Sequence, residues 1–366
     1  MAKFKLKDFA KDISVAIKDA QSSPLKQFVG LEHYDSGEPV ITRFTDTSLI
    51  SSSVKEFKEN DILIARRNVY LRRAGIAFFS GLTSGDSIIL RIYDDCEEKT
   101  GIPKEDAIKI LPFILNSNDF WNYANKHADG MNSKRISKDM LYDYEFDLPS
   151  LSEQKILADK LWAAYRLKES YKKLLAATDE MVKSQFIEMF GTIDEPKVEV
   201  KKLIDVVLSS GQYGSNTSAT DYQEGKPRYI RITDINDDGS LNDDIKTAEV
   251  IEDKYRLIPG DIVFARTGAT VGKTYMHETG NAIYAGYLIK YQMNESKMKP
   301  TFMKAFTHLK TYYNWVANSQ KVGAQPNISA AQYDNMPVLV PQIEKQEEFL
   351  AIYHQADKSK YYYQIA

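Results

Sequence analysis

The sequence predicts an α+β protein: two strand-rich mixed domains in pseudo-twofold repeat, separated by long helices that form an antiparallel coiled coil. Three observations predict it. First, the chain is written twice. Leu148-Pro149-Ser150-Leu151-Ser152-Glu153-Gln154 returns as Val340-Pro341-Gln342-Ile343-Glu344-Lys345-Gln346 at a shift of 192, without a gap. Asp61-Ile62-Leu63-Ile64-Ala65-Arg66 returns as Asp261-Ile262-Val263-Phe264-Ala265-Arg266 at a shift of 200, and Gly130 and Ile136-Ser137 return as Gly323 and Ile328-Ser329. Solenoids repeat every 20–50 residues or so. A period near half of 366 residues instead means two copies of one domain, each followed by the same helix. Second, residues 152–190 contain no Gly or Pro. Third, the rest is broken into short apolar runs bounded by Gly, Ser and Asp, the pattern of buried strands.

Taken in order, residues 1–148 form the first domain. Ile62–Ala65, Ile76–Phe79 and Ile88–Ile92 read as strands, and residues from Phe113 to about Lys126 as a helix. Pro149 stops the domain, because the residue before a proline is pushed out of helical geometry. Residues 149–195 form a central helical spacer. Ser152, Glu153 and Gln154 just after Pro149 make a helix start, and Gly191 closes the helix as a C-cap.

Within this helix Leu157, Leu161, Ala164, Tyr171, Leu175, Val182 and Met189 recur at alternating four- and three-residue steps. Lys168, Thr178 and Gln185 fill the gaps, so the stripe is a coiled-coil seam with polar interruptions. About 39 residues at 1.5 Å each span ~58 Å, more than one small domain covers. Residues 196–340 form the second domain. Tyr229–Thr233, Asp261–Arg266 and Tyr284–Tyr291 read as strands and Phe302 to about Asn318 as a helix. Residues 341–366 form a distal helix that repeats the seam as Phe349, Tyr353, Ala356, Lys360 and Tyr363. Two long apolar stripes need cover, and the simplest cover is each other, packed antiparallel.

Composition narrows the function classes. Apolar content of 43% and aromatic content of 11% indicate globular domains. The one cysteine, Cys96, forms no internal disulfide, which fits a reducing, cytoplasmic setting. The start Met1-Ala2-Lys3-Phe4-Lys5-Leu6-Lys7 lacks the apolar stretch of a secretory signal, and no run reaches the ~18 apolar residues of a membrane span. A net charge of −3 argues against non-specific coating of nucleic acid, but leaves room for a local basic groove. Arg66, Arg67, Arg72 and Arg73 form one basic cluster; taken alone it reads rather as a solvated strand edge protected by charge.

Apparent catalytic motifs dissolve on inspection. Gly268-Ala269-Thr270-Val271-Gly272-Lys273-Thr274 resembles a phosphate-binding loop, but it is one residue short and runs into a strand where a helix N-terminus is needed. Asp234-Ile235-Asn236-Asp237-Asp238-Gly239 matches half of a calcium loop, but Ile245 stands where a bidentate Glu belongs, so it reads as an Asx turn. The histidines at 33, 127, 277, 308 and 354 show no metal-ligand spacing with one another or with Cys96. Glu252-Asp253-Lys254 has no twin in the first copy. The duplicated parts therefore carry recognition rather than catalysis, and no metal or cofactor is expected in this chain.

At this point the sequence resembles a DNA specificity subunit of a type I restriction–modification system. The resemblance rests on Gly260 through Thr274, Ala285-Gly286-Tyr287-Leu288-Ile289, Gln325-Pro326-Asn327-Ile328-Ser329 and the helix entry Val340-Pro341…Glu344-Lys345-Gln346. In the first copy Arg66-Arg67-Asn68-Val69-Tyr70-Leu71-Arg72-Arg73-Ala74-Gly75 departs from this form. The resemblance implies two target-recognition domains, each reading one half of a split, asymmetric double-stranded DNA site. It implies helices that set the unspecified spacer and dock two methyltransferase subunits. S-adenosylmethionine would sit on those subunits, and a motor–nuclease (restriction) subunit can join them.

Candidate DNA-binding residues follow. In the second domain they are Gln212, Tyr213, Ser215, Asn216, Arg266, Thr267, Thr270 and Lys273. In the first they are Arg66, Arg67, Asn68, Arg72 and Arg73. Arg with guanine, and Asn or Gln with adenine, are the usual direct pairings, worth ~1–3 kcal/mol each. Half or more of protein–DNA hydrogen bonds go to the backbone, so most of these residues position rather than specify. Lys155, Lys160, Arg166, Glu169 and Lys172 are candidate contacts to methyltransferase subunits. Two other classes remain: a coiled-coil interaction scaffold without salt-dependent DNA affinity, and a nucleotide-binding enzyme using residues 268–274.

Overall fold

In the computed structural model the chain divides into two compact units, residues 1–169 and 170–366. The structure describes residues 2–131, 133–320 and 326–365, with side chains as far as Asp357. Gly323, Gln325 and the side chains of Lys360 and Tyr363 lie outside the described residues.

The first unit is built on a four-stranded antiparallel sheet in the order Ala10–Asp12, Ser87–Ile92, Ile62–Ala65, Ala74–Ile76. Its central strand is buried on both faces, and the period of two decides where each side chain goes. Ile62 and Ile64 enter a core with Leu90, Leu111, Phe120 and Trp121, while Leu63 and Ala65 enter a second core with Val29, Phe57 and Ile89. That second layer is a five-stranded sheet, in which Gln27–Val29 runs parallel to Gly81–Ser84. Ala2–Lys5 pairs with Glu145–Leu148 and closes the unit.

The second unit repeats this plan. Gln212–Tyr213, Leu288–Gln292, Asp261–Ala265 and Thr274–Met276 take the same order, and Ile262 faces Tyr291 where Ile62 faces Leu90. Ile262 and Phe264 enter one core, Val263 and Ala265 the other. Glu199–Lys202 pairs with Pro337–Val340 as its closing ribbon. The outer layer differs: it consists of two separate two-stranded sheets, one of which keeps the parallel pairing of Arg228–Ile230 with Ala282–Tyr284.

The repeat extends to single bonds. The Asp61 and Asp261 carboxylates accept the Lys58 and Ile258 N–H groups at 2.8 and 3.0 Å. Gln154 and Gln346 each donate to the carbonyl of the proline that opens their helix, at 2.9 Å. Ser137 and Ser329 cap the short helices Lys138–Tyr142 and Ala330–Asp334. Ser329 also closes a capping box with Gln332. Ser329→Ala is expected to cost about 1 kcal/mol, read as a lower urea midpoint for the second unit.

The helix Leu151–Phe190 runs without a break for 40 residues, and Gly191 ends it at a left-handed φ of 78°. Its first half packs on the first unit through Ala158, Leu161 and Trp162; Trp162 donates to the Lys109 carbonyl at 2.9 Å and meets Phe78 and Phe113. Its second half packs on the second unit, where Val182, Phe186 and Phe190 join Phe302, Phe306 and Phe349.

The distal helix Ile343–Ile365 pairs with this second half. Phe349 lies 5.2 Å from Phe186 and 5.9 Å from Phe190, and further along Tyr353 and Ala356 line a groove with Asp179 and Leu175. Residue numbers rise on one helix as they fall on the other, so the pair is antiparallel. The expected partners change, however. Leu157 and Ala164 are exposed, and Leu161 packs on its own unit. A seam read at 3.5 residues drifts by ~20° per heptad against a straight helix. Here the globular core, not another helix, selects the buried face.

Other expectations shift for local reasons. The helix expected over residues 113–126 is two, Lys104–Ile114 and Asn118–Lys126, because the Ser117 hydroxyl caps the second. Residues 302–318 likewise divide into Pro300–Phe306 and Lys310–Ser319. The strand expected over residues 284–291 is broken by the turn at 285–287, where Leu288 N–H donates to the Ala285 carbonyl at 2.9 Å. Residues 76–79 contribute only the end of Ala74–Ile76. Gly268–Thr270 is a 3-10 turn followed by the strand Thr274–Met276, so no helix N-terminus faces a phosphate there. Asp234 is buried and spends its carboxylate on Arg231, while Asp238 accepts Ser240 within its own turn. No described helix is long and apolar enough to cross a membrane, and no metal-binding cluster occurs among the described residues.

Candidate nucleic-acid interface

In each unit the buried central strand ends in an arginine whose backbone is held from both sides. Arg66 N–H donates to the Asp86 carbonyl at 3.0 Å and its own carbonyl accepts Ile136 N–H at 3.0 Å. Arg266 does the same with Tyr287 at 3.1 Å and Ile328 at 2.9 Å. Both side chains are half-buried, and the Nε of each is buried without a hydrogen bond. Among the described residues neither guanidinium is engaged in a hydrogen bond or ion pair. A buried donor left unpaired costs about 1–3 kcal/mol, and two copies of the fold keep it at the same position. Arg266 is further oriented: its guanidinium lies 4.9 Å from the ring centre of the exposed Tyr213, a cation–π stack.

Other candidates in the second unit are distributed around this centre. Gln212 and Asn216 are exposed, and Gln212 reaches Ser209 at 3.4 Å. Ser215 is buried and its hydroxyl accepts Thr217 N–H. Thr267 is buried and donates to the Pro326 carbonyl, and Thr270 donates to the Thr267 carbonyl. Lys273 pairs with Asp237 at 2.8 Å and donates to the Ile235 carbonyl at 3.3 Å. These four shape the loop; their polar groups are already occupied.

In the first unit the departing stretch 66–75 keeps the backbone of its twin. Asn68 and Arg72, with φ of 56° and 50°, stand where Gly268 and Gly272 have 71° and 88°. Asn tolerates this left-handed region; a long side chain such as Arg pays strain, of the kind that persists at functional sites. Arg72 reaches Asn118 at 2.8 Å. Arg67 is exposed and donates to Ser133 at 2.8 Å. Arg73, the counterpart of Lys273, spends its guanidinium on the Leu31 and Arg67 carbonyls at 2.9 Å, and burial lowers its pKa. Burial is also the main cause that lowers the Lys55 pKa; Asp12 and Asp86 oppose it and Arg66 adds to it.

Residue-type reasoning missed three participants. Tyr287, 60% exposed, forms the turn that receives the Arg266 N–H. Arg135 forms an ion pair with Asp86 at 3.5 Å beside Arg66. Asp334 anchors the loop that carries Tyr213. Only Tyr287 had a visible signal, its place within Ala285-Gly286-Tyr287. The helix candidate Lys155 forms an ion pair with Asp106 at 3.3 Å.

Residues 195–361 match the model of the type I restriction modification DNA specificity domain. No curated protein matches the sequence. Among solved structures, the type I restriction–modification S subunit from M. genitalium is 14% identical, with a TM-score of 0.55 over 99% of this chain and 91% of that one. A chain from a structure on complex assembly and conformational transition of the type I R-M system is 16% identical, with a TM-score of 0.50 over 98% of this chain and 90% of that one. At these identities the likeness is one of fold, and it extends through both copies of the repeat.

Proposed function

We propose that this chain, whose residues 195–361 carry the type I restriction modification DNA specificity domain, is the DNA-reading subunit of a type I restriction–modification complex and itself catalyses no reaction. Each unit reads one half of a bipartite, asymmetric site in double-stranded DNA. The observation that carries this reading is the pair Arg66 and Arg266, equivalent in the repeat, held by backbone bonds, with neither guanidinium in a hydrogen bond or ion pair among the described residues. A guanidinium so placed matches the N7 and O6 edge of guanine. Two tethered readers gain specificity because the second binding event is intramolecular.

The long helix sets the unspecified spacer and, with the distal helix, docks two methyltransferase subunits that hold S-adenosylmethionine; a restriction subunit joins that assembly. Support for a helical docking face comes from Leu167, Leu174 and Met181, 42–55% exposed at seven-residue steps on the central helix. A row of exposed apolar side chains of this kind marks an interaction surface.

The test is an adenine-methylation map of host DNA with and without the gene. A split motif with a fixed spacer that vanishes on deletion is the expected result. An unchanged map from a transcribed locus would sink the proposal.

A further inference from the structure

The loop that carries Tyr213 is pinned at both ends to one short helix, Ala330–Asp334. Asp334, its last residue, accepts the Gly211 N–H at 3.1 Å and the Ser210 hydroxyl, and the buried Tyr291 phenol donates to it at 2.7 Å. At the other end of the helix, Ala330 N–H donates to the Tyr213 phenol oxygen at 3.0 Å. The phenol therefore sits at the helix N-terminus, whose free N–H groups need acceptors. The Tyr213 ring in turn carries the Arg266 guanidinium. Burial first, and then the Asp334 carboxylate, push the Tyr291 phenol well above its ordinary pKa, so it stays a donor.

The first unit contains the same pin in different chemistry. Asp12 lies opposite Leu90, as Gly211 lies next to Gln212 on the strand opposite Tyr291. Asp12 N–H donates to the Tyr142 phenol oxygen at 2.6 Å. Tyr142 is the last residue of the helix Lys138–Tyr142, as Asp334 is of Ala330–Asp334. A backbone bond kept at one position while the accepting side chain changes from phenol to carboxylate points to a requirement on the loop, not on either residue type.

We infer that Asp334 is a positioning residue: through Ser210 and Gly211 it sets the loop that presents Tyr213, and through Tyr213 the angle at which Arg266 meets a guanine edge in the half-site read by the second unit. This rests on the DNA-reading role proposed above. A contact of this type depends on bidentate geometry, so a loosened loop costs discrimination before it costs affinity.

The experiment maps adenine methylation in cells whose only copy of the gene is wild type, Asp334→Ala, Asp334→Asn, Ser210→Ala or Arg266→Lys. Asp334→Ala is expected to leave one half of the motif intact and to relax the other at the base position that Arg266→Lys relaxes, by roughly tenfold in discrimination. Asp334→Asn keeps an oxygen for Gly211 N–H and is expected to restore most of it, with Ser210→Ala between the two. A merely structural role lowers methylation at an unchanged motif, and that outcome overturns the inference; so does an unaltered map. Melting of each purified variant separates misfolding from mispositioning, and the Asn and Ser210 variants keep the test alive if Asp334→Ala does not fold. A wild-type gene that directs no motif defeats the DNA-reading role itself, a different failure from a motif that ignores Asp334.

Discussion

Arg266→Ala is expected to weaken recognition of one half-site and to leave the other as it was. The guanidinium makes no hydrogen bond or ion pair with the described residues, so its removal breaks nothing in the fold except the stack on Tyr213. The backbone bonds that hold position 266, to Tyr287 and from Ile328, survive the change. The loss therefore falls on the partner: ~1–3 kcal/mol, or roughly 10- to 100-fold in affinity, for a bidentate contact to guanine. Duplexes carrying both half-sites, the first alone and the second alone would be titrated against the assembled complex at one stated salt concentration. Equal weakening on all three duplexes, or none, contradicts the assignment. Arg66→Ala should produce the mirror result, because it holds the same backbone place in the other copy.

Phe349→Ala is expected to destabilise the second unit by about 3–5 kcal/mol, the usual cost of removing a fully buried phenylalanine. Phe349 is fully buried and its ring packs within 6.2 Å of Phe186, Phe190, Phe302 and Tyr353. Those rings come from the central helix, the helix Pro300–Phe306 and the distal helix itself, so the truncation opens a cavity where three elements meet. Guanidinium denaturation followed by circular dichroism should show an early transition for the second unit and an unshifted one for the first. A loss under about 1 kcal/mol would mean that the distal helix decorates the unit rather than completing its core.

These two residues also show what could be read in advance. The repeat identified the strand Asp261–Ala265 and its twin, because an alternation of buried side chains follows from the two-residue period of extended chain. Arg66 was legible only as one of a basic cluster, and Arg266 only as one of eight candidates in the second domain; the sequence did not set the two apart from the rest. The first-copy stretch 66–75 looked divergent, yet its backbone is conserved: the left-handed positions of Gly268 and Gly272 are held by Asn68 and Arg72. Sequence identity fell where the conformation did not.

Tertiary structure alone decided the rest. Lys273 and Arg73, candidates for DNA contact by residue type, are tied to the Ile235 and Leu31 carbonyls, bonds across 38 and 42 residues. Asp334 and Tyr142 hold equivalent loops of the two copies through bonds across 123 and 130 residues. The seam on the central helix was visible as a period, but its phase was not, because Leu157 and Ala158 are both apolar and the neighbouring core chooses between them.

By itself, then, the sequence determined the duplication, the strands at the heart of each unit, the unbroken helix between them and the arginine at each strand end. All of these follow from local period, from caps and from residue type. Which guanidinium groups stay out of hydrogen bonds and ion pairs among the described residues, which helix half meets the distal helix and what holds the Tyr213 loop depended on contacts between segments distant in the chain. Hydrogen bonds and packing across such separations leave no periodic trace in the order of residues, so only the assembled fold decides them.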